Sequence, residues 1–180
     1  LKTGEWKKHM GKLLYGKTLG IIGLGSIGKT LVRLSKGFNF KILAFDSNHD
    51  QNFAYENNVN YCDLDMLLSE SDIVSIHLNL TAETNQLLDS SKISIMKPES
   101  ILINTSRGEI INEDSLFKAL MDKKILGAGL DVYNQEPYKG PLTKLENVIL
   151  TPHIGSYAKE SRIQMEIEAV KNLIRGLNEL

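Results

Sequence analysis

Cysteine is almost absent from this chain, with Cys62 the only one in 180 residues. A single thiol cannot close an intramolecular disulfide, which fits a reducing cytoplasm. No Cys or His lies near it at ligand spacing, so Cys62 reads as a structural thiol and no metal site is expected. No apolar stretch approaches the ~18 residues a membrane helix needs, and no signal-peptide pattern is present, so nothing points to a membrane or to secretion. Neither sign of charge is in excess: 21 basic and 22 acidic residues leave a formal net charge of -1. Such a balance gives no field to gather nucleic acid or anionic lipid. The lysines of the opening stretch (Lys2, Lys7, Lys8, Lys12, Lys17) read as a solvated face. With no internal repeat, low-complexity tract or break in composition, residues 1–180 read as one domain, long enough to bury a core without disulfides or metal. The chain opens on Leu1 rather than Met, so it is expected to be a piece of a longer protein.

What is present is an alternation of short apolar, β-branched runs with helix-period segments, the pattern of βαβ units and a parallel sheet. Six strands are predicted: "TLGIIG" (18–23), "KILAF" (41–45), "DIVSIHL" (72–78), "SILINT" (100–105), "GAGLDV" (127–132) and "NVILT" (147–151). Several are apolar at consecutive positions, as strands covered on both faces should be. Among the helices, Ile27, Leu31 and Leu34 recur at i, i+4, i+7 on one face. Leu116, Leu120 and Lys123 follow the same rhythm after a cap at Asn112, with Glu113 and Asp114 in the first turn where the dipole favours anions. A last helix, 157–178, carries a stripe of Ile163, Ile167, Val170, Ile174 and Leu177, to be buried in this domain or on a partner. Residues 1–16 read as an arm leading into the first strand. The fold class expected is therefore α/β, a Rossmann-type doubly wound parallel sheet in three layers.

"GLGSIG", residues 23–28, is a G-x-G-x-x-G between a strand and an amphipathic helix. Gly23 would make the tight turn, Gly25 would let backbone approach a pyrophosphate, and Gly28 would let helix and strand pack closely. The phosphates would sit at the helix N-terminus, where free N–H groups and the dipole both favour anions. Asp46 ends the second predicted strand, where a carboxylate can accept from the adenosine ribose hydroxyls and would repel a 2′-phosphate. No Arg or Lys directly follows it, so NAD is expected over NADP.

In an open parallel sheet, ligands bind beyond the carboxyl ends of the strands. That edge collects the glycines, Asp46, His77, Thr105, Ser106 and Arg107, Asp131, and His153. Arg107 could pair with a surface carboxylate, or clamp a substrate carboxylate bidentately. Glu136, before Pro137, could be a solvent-exposed turn residue, or hydrogen-bond His153, orient it and favour its charged form. Asp131 could cap a loop or bind the nicotinamide carboxamide. His77 reads as a structural or cofactor-side residue rather than a catalyst. His9 and His49 have no supporting context. Ser26, Ser106 and Cys62 lack a nucleophile–base motif.

"TLGIIGLGSIG", "SDIVSIHLNLTAET", "MKPESILINTSRGEIINEDSL", "GAGLDVYNQEP" and "NVILTPHIGS", in this order, resemble the D-isomer-specific 2-hydroxyacid dehydrogenases. Within that family the likeness is nearest to D-3-phosphoglycerate dehydrogenase, and it covers nearly the whole chain. The resemblance implies an Arg–Glu–His catalytic set at Arg107, Glu136 and His153. It implies NAD contacts at Ser26 and Ile27, Asp46, Thr105 through Arg107, Asp131, and residues 153–156 with Gly155 and Ser156. It further implies a small 2-hydroxy or 2-keto acid substrate, a homodimer, and a substrate domain not included in these 180 residues. Asn79 stands where the family commonly has proline, which would loosen the loop after His77. Two other functions suit the same motifs: an NAD(H)-sensing interaction module like the family's corepressor relatives, and a dehydrogenase of formate or phosphite.

Overall fold

A computed structural model describes residues 4, 6, 8 and 10–178. Lys2, Lys7 and His9 lie outside the described residues, as does part of the 1–16 arm. Seven parallel strands form one sheet in the order β3-β2-β1-β4-β5-β6-β7. They are β1 Thr18–Ile22, β2 Lys41–Phe45, β3 Val59–Tyr61, β4 Ile73–Ile76, β5 Ile101–Asn104, β6 Gly127–Leu130 and β7 Val148–Leu150. Six of these were expected. β3 was not: three residues, "VNY", are too few to register as an apolar run, and the strand exists because its backbone completes the ladder on β2.

Helices α1 (Ser26–Leu34), α2 (Gln51–Asn57), α3 (Leu64–Glu70), α4 (Ser90–Ser94) and α5 (Glu113–Met121) link the strands. Alternate residues of the central strands feed two separate cores. Leu19, Ile21, Ile42 and Ala44 pack with Val32, Phe53 and Ala54. Ile22, Leu43, Val74 and Ile76 pack with Leu64, Leu67 and Leu68. The sheet is thus covered on both faces, and its strands read as continuous apolar runs for that reason. Asn112 caps α5 by accepting from Ser115 N, and Leu116 and Leu120 are buried as expected. Lys123 falls beyond the helix, in the left-handed region at φ 54°.

Two expected apolar faces turn outward. α1 buries Gly28 and Val32 and packs Leu31 partly against the core, leaving Ile27 and Leu34 66% and 78% exposed. The reason is close packing at Gly28, which brings the helix down on that side. The final helix, α6 (Lys159–Asn178), buries no residue at all, so its stripe from Ile163 to Leu177 packs on nothing in this domain. No helix among the described residues is long and apolar enough to cross a membrane.

The register sets the functional edge. Ile22 pairs with Phe45 and Ile76, Ile76 with Asn104, Asn104 with Leu130, and Leu130 with Leu150. The next residue of each strand therefore arrives at one level: Gly23, Asp46, His77, Thr105, Asp131 and Thr151. The chain leaves β1 for β2 on one side and returns as β4 on the other, so β1/β4 is the switch point where such sheets bind ligands.

Candidate active site

The glycine-rich turn occupies that switch point. Gly23 has φ +95°, and a Cβ there would meet the His77 carbonyl carbon at 2.8 Å. A Cβ on Gly28 would stand 2.4 Å from the Gly23 carbonyl oxygen, while one on Gly25 would meet nothing within 4 Å. Two glycines are thus required by the protein itself and the third borders open space. α1 starts at Ser26 with no side-chain cap and no acidic residue in its first turn. Its leading N–H groups and positive pole therefore face that space, a fit for a dinucleotide pyrophosphate. Ser26 and Ile27 sit beside it, both exposed.

Asp46 has main-chain partners of its own. Its Oδ2 accepts from Leu24 N at 2.7 Å and its Oδ1 from Asn48 N at 2.8 Å. The carboxylate therefore braces the glycine-rich turn, with lone pairs left for further donors. His77 shares a 2.9 Å hydrogen bond with the buried Ser75 hydroxyl, and burial holds its imidazole below the ordinary histidine range. This arrangement matches a structural histidine. Beyond it, the Asn79 carbonyl accepts from Thr84 Oγ1 at 2.7 Å, and Thr84 Oγ1 accepts from Thr81 N at 2.8 Å. The loop expected to be loose is tied.

The remaining loops bring Glu136 and His153 together. Glu136 Oε2 lies 2.8 Å from His153 Nδ1, and Glu136 Oε1 accepts from Tyr133 N at 3.2 Å. An ionised carboxylate only accepts, so Nδ1 carries the proton and Nε2 is left for a ligand. Both side chains keep a substantial solvent-facing surface. His153 itself is left-handed, at φ 52°. They stand on the rim of a cleft of about 590 Å³ walled by Tyr133, Pro137, Tyr138, Leu150 and Pro152. Arg107, on the turn after β5, is exposed, its guanidinium donating to the Ser106 carbonyl at 2.6 Å. Among the described residues it pairs with no carboxylate.

Asp131, 6% exposed, accepts from Thr151 Oγ1 (2.5 Å), Ile154 N (2.9 Å) and Gly155 N (2.8 Å). It caps the loop that carries His153. Burial pushes its carboxyl up, but these bonds and the nearby His153 outweigh burial and hold it below its ordinary 3.8. A lowered carboxyl stabilises the fold above 3.8 and loses that contribution as pH falls through the lowered value. Asp131→Ala should cost about 2–4 kcal/mol in urea unfolding at neutral pH, since bonds to a buried charge are among the strong ones. The gap from the unsubstituted chain should narrow below pH 3.8; a gap independent of pH would remove the charge from this account.

Three contributors went unnoticed in the sequence: Asn104, Gly108 and Tyr133. Asn104 Oδ1 accepts from Ser106 N (3.0 Å) and Oγ (2.9 Å), and its Nδ2 donates to the Arg107 carbonyl (2.8 Å). Nothing about an Asn at a strand end marks that role beforehand. Thr105 and Ser156 are exposed at the same edge, and His49 stacks on Tyr61 with ring centroids 4.1 Å apart.

Residues 1–155 match the family model described as D-isomer specific 2-hydroxyacid dehydrogenase, NAD binding domain. A glyoxylate reductase of Thermococcus litoralis is 44% identical over 184 residues, covering 97% of this chain and 56% of the relative. A glyoxylate/hydroxypyruvate reductase B of Shigella boydii is 44% identical over 185 residues, covering 98% and 57%. The solved structure of a glyoxylate reductase from Paecilomyes thermophila superposes with a TM-score of 0.89 at 35% identity, covering 96% of this chain and 53% of the other. The chain spans just over half the length of these relatives. With the Rossmann-type sheet, the glycine-rich switch point and this match over most of its length, the chain belongs to the NAD-binding domain family of the D-isomer specific 2-hydroxyacid dehydrogenases.

Proposed function

We propose that this domain is the NAD-binding, catalytic-residue-bearing half of an enzyme interconverting a small 2-keto acid and its D-2-hydroxy acid, with Arg107, Glu136 and His153 as the catalytic residues. The observation that carries the reading is the 2.8 Å Glu136–His153 pair at the edge where the cofactor cradle lies. When bound, NADH supplies the hydride that reduces C2. His153, as imidazolium, donates from Nε2 to the developing alkoxide, and takes that proton back in the reverse direction. Glu136 holds the ring by Nδ1 and fixes its orientation. Arg107 turns from the Ser106 carbonyl to hold the substrate carboxylate through two parallel bonds. The names of the relatives turn the choice of substrate toward glyoxylate and hydroxypyruvate, rather than 3-phosphoglycerate.

Around the dinucleotide, Gly23, Gly25, Ser26, Ile27 and Gly28 would cradle the pyrophosphate, and Asp46 would hold the ribose. His77, Thr105, Ser106, Asp131, Gly155 and Ser156 would line the nicotinamide side. We place the substrate domain in the length of the relatives that this chain does not span, with the exposed apolar stripe of α6 packed on it. The outward apolar face of α1, Ile27 and Leu34, supports a homodimer. One cysteine among 180 residues suits a cytoplasmic location.

The test is to join the domain to its substrate-binding half and follow NADH oxidation with glyoxylate and with hydroxypyruvate. Turnover of either supports the reading. Saturable NADH binding with no turnover on any 2-keto acid would replace it with that of an interaction module. Cofactor choice has its own check. Asp46→Ala should weaken NADH binding about tenfold or more, since a charge-assisted ribose bond and the Leu24 N–H brace are lost together. It should narrow the margin over NADPH, and equal affinities in the unsubstituted chain would sink the assignment of Asp46.

A further inference from the structure

The turn with Arg107, the segment with Glu136 and the loop with His153 all meet at one residue that proton transfer does not use, Tyr133. Its main-chain N–H donates to Glu136 Oε1 at 3.2 Å. Its hydroxyl shares its one proton between the carbonyls of Thr151 at 2.8 Å and Leu130 at 3.1 Å, linking the base of the His153 loop to β6. Its own main chain lies against Gly108, the neighbour of Arg107. A Cβ on Gly108 would stand 2.1 Å from the Tyr133 carbonyl carbon, 2.4 Å from its oxygen and 2.5 Å from its Cα. Gly108 has no left-handed φ, so only this approach demands glycine. The turn is gripped on its other side by Asn104, buried and bonded to Ser106 and to the Arg107 carbonyl. The Tyr133 ring is buried and stacks on Tyr138 with centroids 4.4 Å apart, so it cannot slide away.

We propose that Gly108 and Tyr133 are positioning residues, and that the backbone contact between them sets the Arg107 turn against the Glu136–His153 pair before any ligand binds. The proposal rests on the acid–base reading above. Asp131 ties only two of these three loops together, whereas catalytic groups must all be held within ~0.5 Å of their working geometry. Here one glycine–tyrosine contact supplies that support. A methyl group at Gly108 meets main chain on the far side, which cannot rotate out of the way as a side chain would. Either the Arg107 turn withdraws, or Tyr133 moves and carries its N–H off Glu136 and its hydroxyl off Thr151.

The readout is the position of the proton on His153, which a purely structural glycine would not alter. Pairing with the Glu136 carboxylate keeps it on Nδ1, whereas a free imidazole prefers Nε2. Long-range proton–nitrogen NMR of the 180-residue chain at about pH 9, well above the ordinary histidine range, distinguishes the two. Glu136→Ala sets the scale, by losing most of the Nδ1-protonated form. Gly108→Ala, shown to be folded by a cooperative melt, should shift His153 in the same direction. A folded Gly108→Ala chain with the unsubstituted imidazole spectrum overturns the proposal. Tyr133→Phe adds no atom, removes only the hydroxyl's hold on Thr151 and Leu130, and should move the same signals partway. If Gly108→Ala fails to fold and Tyr133→Phe leaves His153 unchanged, the proposal is likewise overturned. If Glu136→Ala itself leaves the imidazole unchanged, it is the acid–base pairing that fails, a result separate from the role of Gly108.

Discussion

Replacing His153 by asparagine, in the domain joined to its substrate-binding half, should lower turnover of a 2-keto acid by about 10²–10⁴-fold, the usual worth of a positioned general acid. NADH affinity should be nearly unchanged. Asparagine is chosen because the backbone here is left-handed, at φ 52°. Asn tolerates that region and most residues do not, so His153→Gln would mix loss of the imidazole with strain of about 1–2 kcal/mol. His153→Asn keeps the loop, including the bonds that Ile154 and Gly155 make to Asp131. It removes the imidazole, and with it both the proton held at Nε2 and the Nδ1 bond to Glu136. The affinity measurement guards the conclusion, because a collapsed loop would disturb the nicotinamide side of the cradle as well. Near-normal turnover of the variant would take His153 out of the reaction.

That histidine illustrates what a sequence can disclose and what it cannot. His153, Asp131, Arg107 and Asp46 were readable because each ends or directly follows an apolar run. In a parallel sheet the ends of such runs share one edge whatever their distance in sequence. Glu136 was readable only as one of two possibilities, since nothing in "NQEP" says which way its carboxylate points; the fold turns it onto Nδ1. The double duty of Asp46 was hidden for a related reason. Its partner Leu24 N is 22 residues away and belongs to the main chain, which has no letter of its own. Gly108 was harder still: its requirement comes from Tyr133, 25 positions on, and no local turn betrays it. The apolar stripes of α1 and α6 show a different limit. Periodicity reports that a face is apolar, but not whether the cover lies in the same chain.

The three glycines of "GLGSIG" should separate cleanly under substitution, and their separation tests the cofactor cradle without any substrate. Gly25→Ala should leave the thermal stability of the chain within about 1 kcal/mol of its starting value, because a helix N-cap tolerates alanine at roughly that cost. Its backbone is extended at φ -75°, which alanine adopts freely, and the added methyl meets no atom within 4 Å. The same substitution should weaken NADH binding by about 100-fold, or ~2.7 kcal/mol, since the methyl enters the space in front of the α1 N–H groups. Gly23→Ala should do the reverse in origin. At φ +95° the alanine is strained by about 1–2 kcal/mol, and its methyl would press on the His77 main chain 2.8 Å away. The expected loss of stability is therefore about 3 kcal/mol or more, from a displacement of β1 against β4. Any loss of NADH binding would follow from that displacement. The contrast decides the question because composition and helix propensity treat the two changes alike. An anion cradle at Gly25 predicts lost binding in a chain of normal stability. If Gly25→Ala instead binds NADH as the unsubstituted chain does, the pyrophosphate does not sit on this turn, and the open space before α1 is only surface.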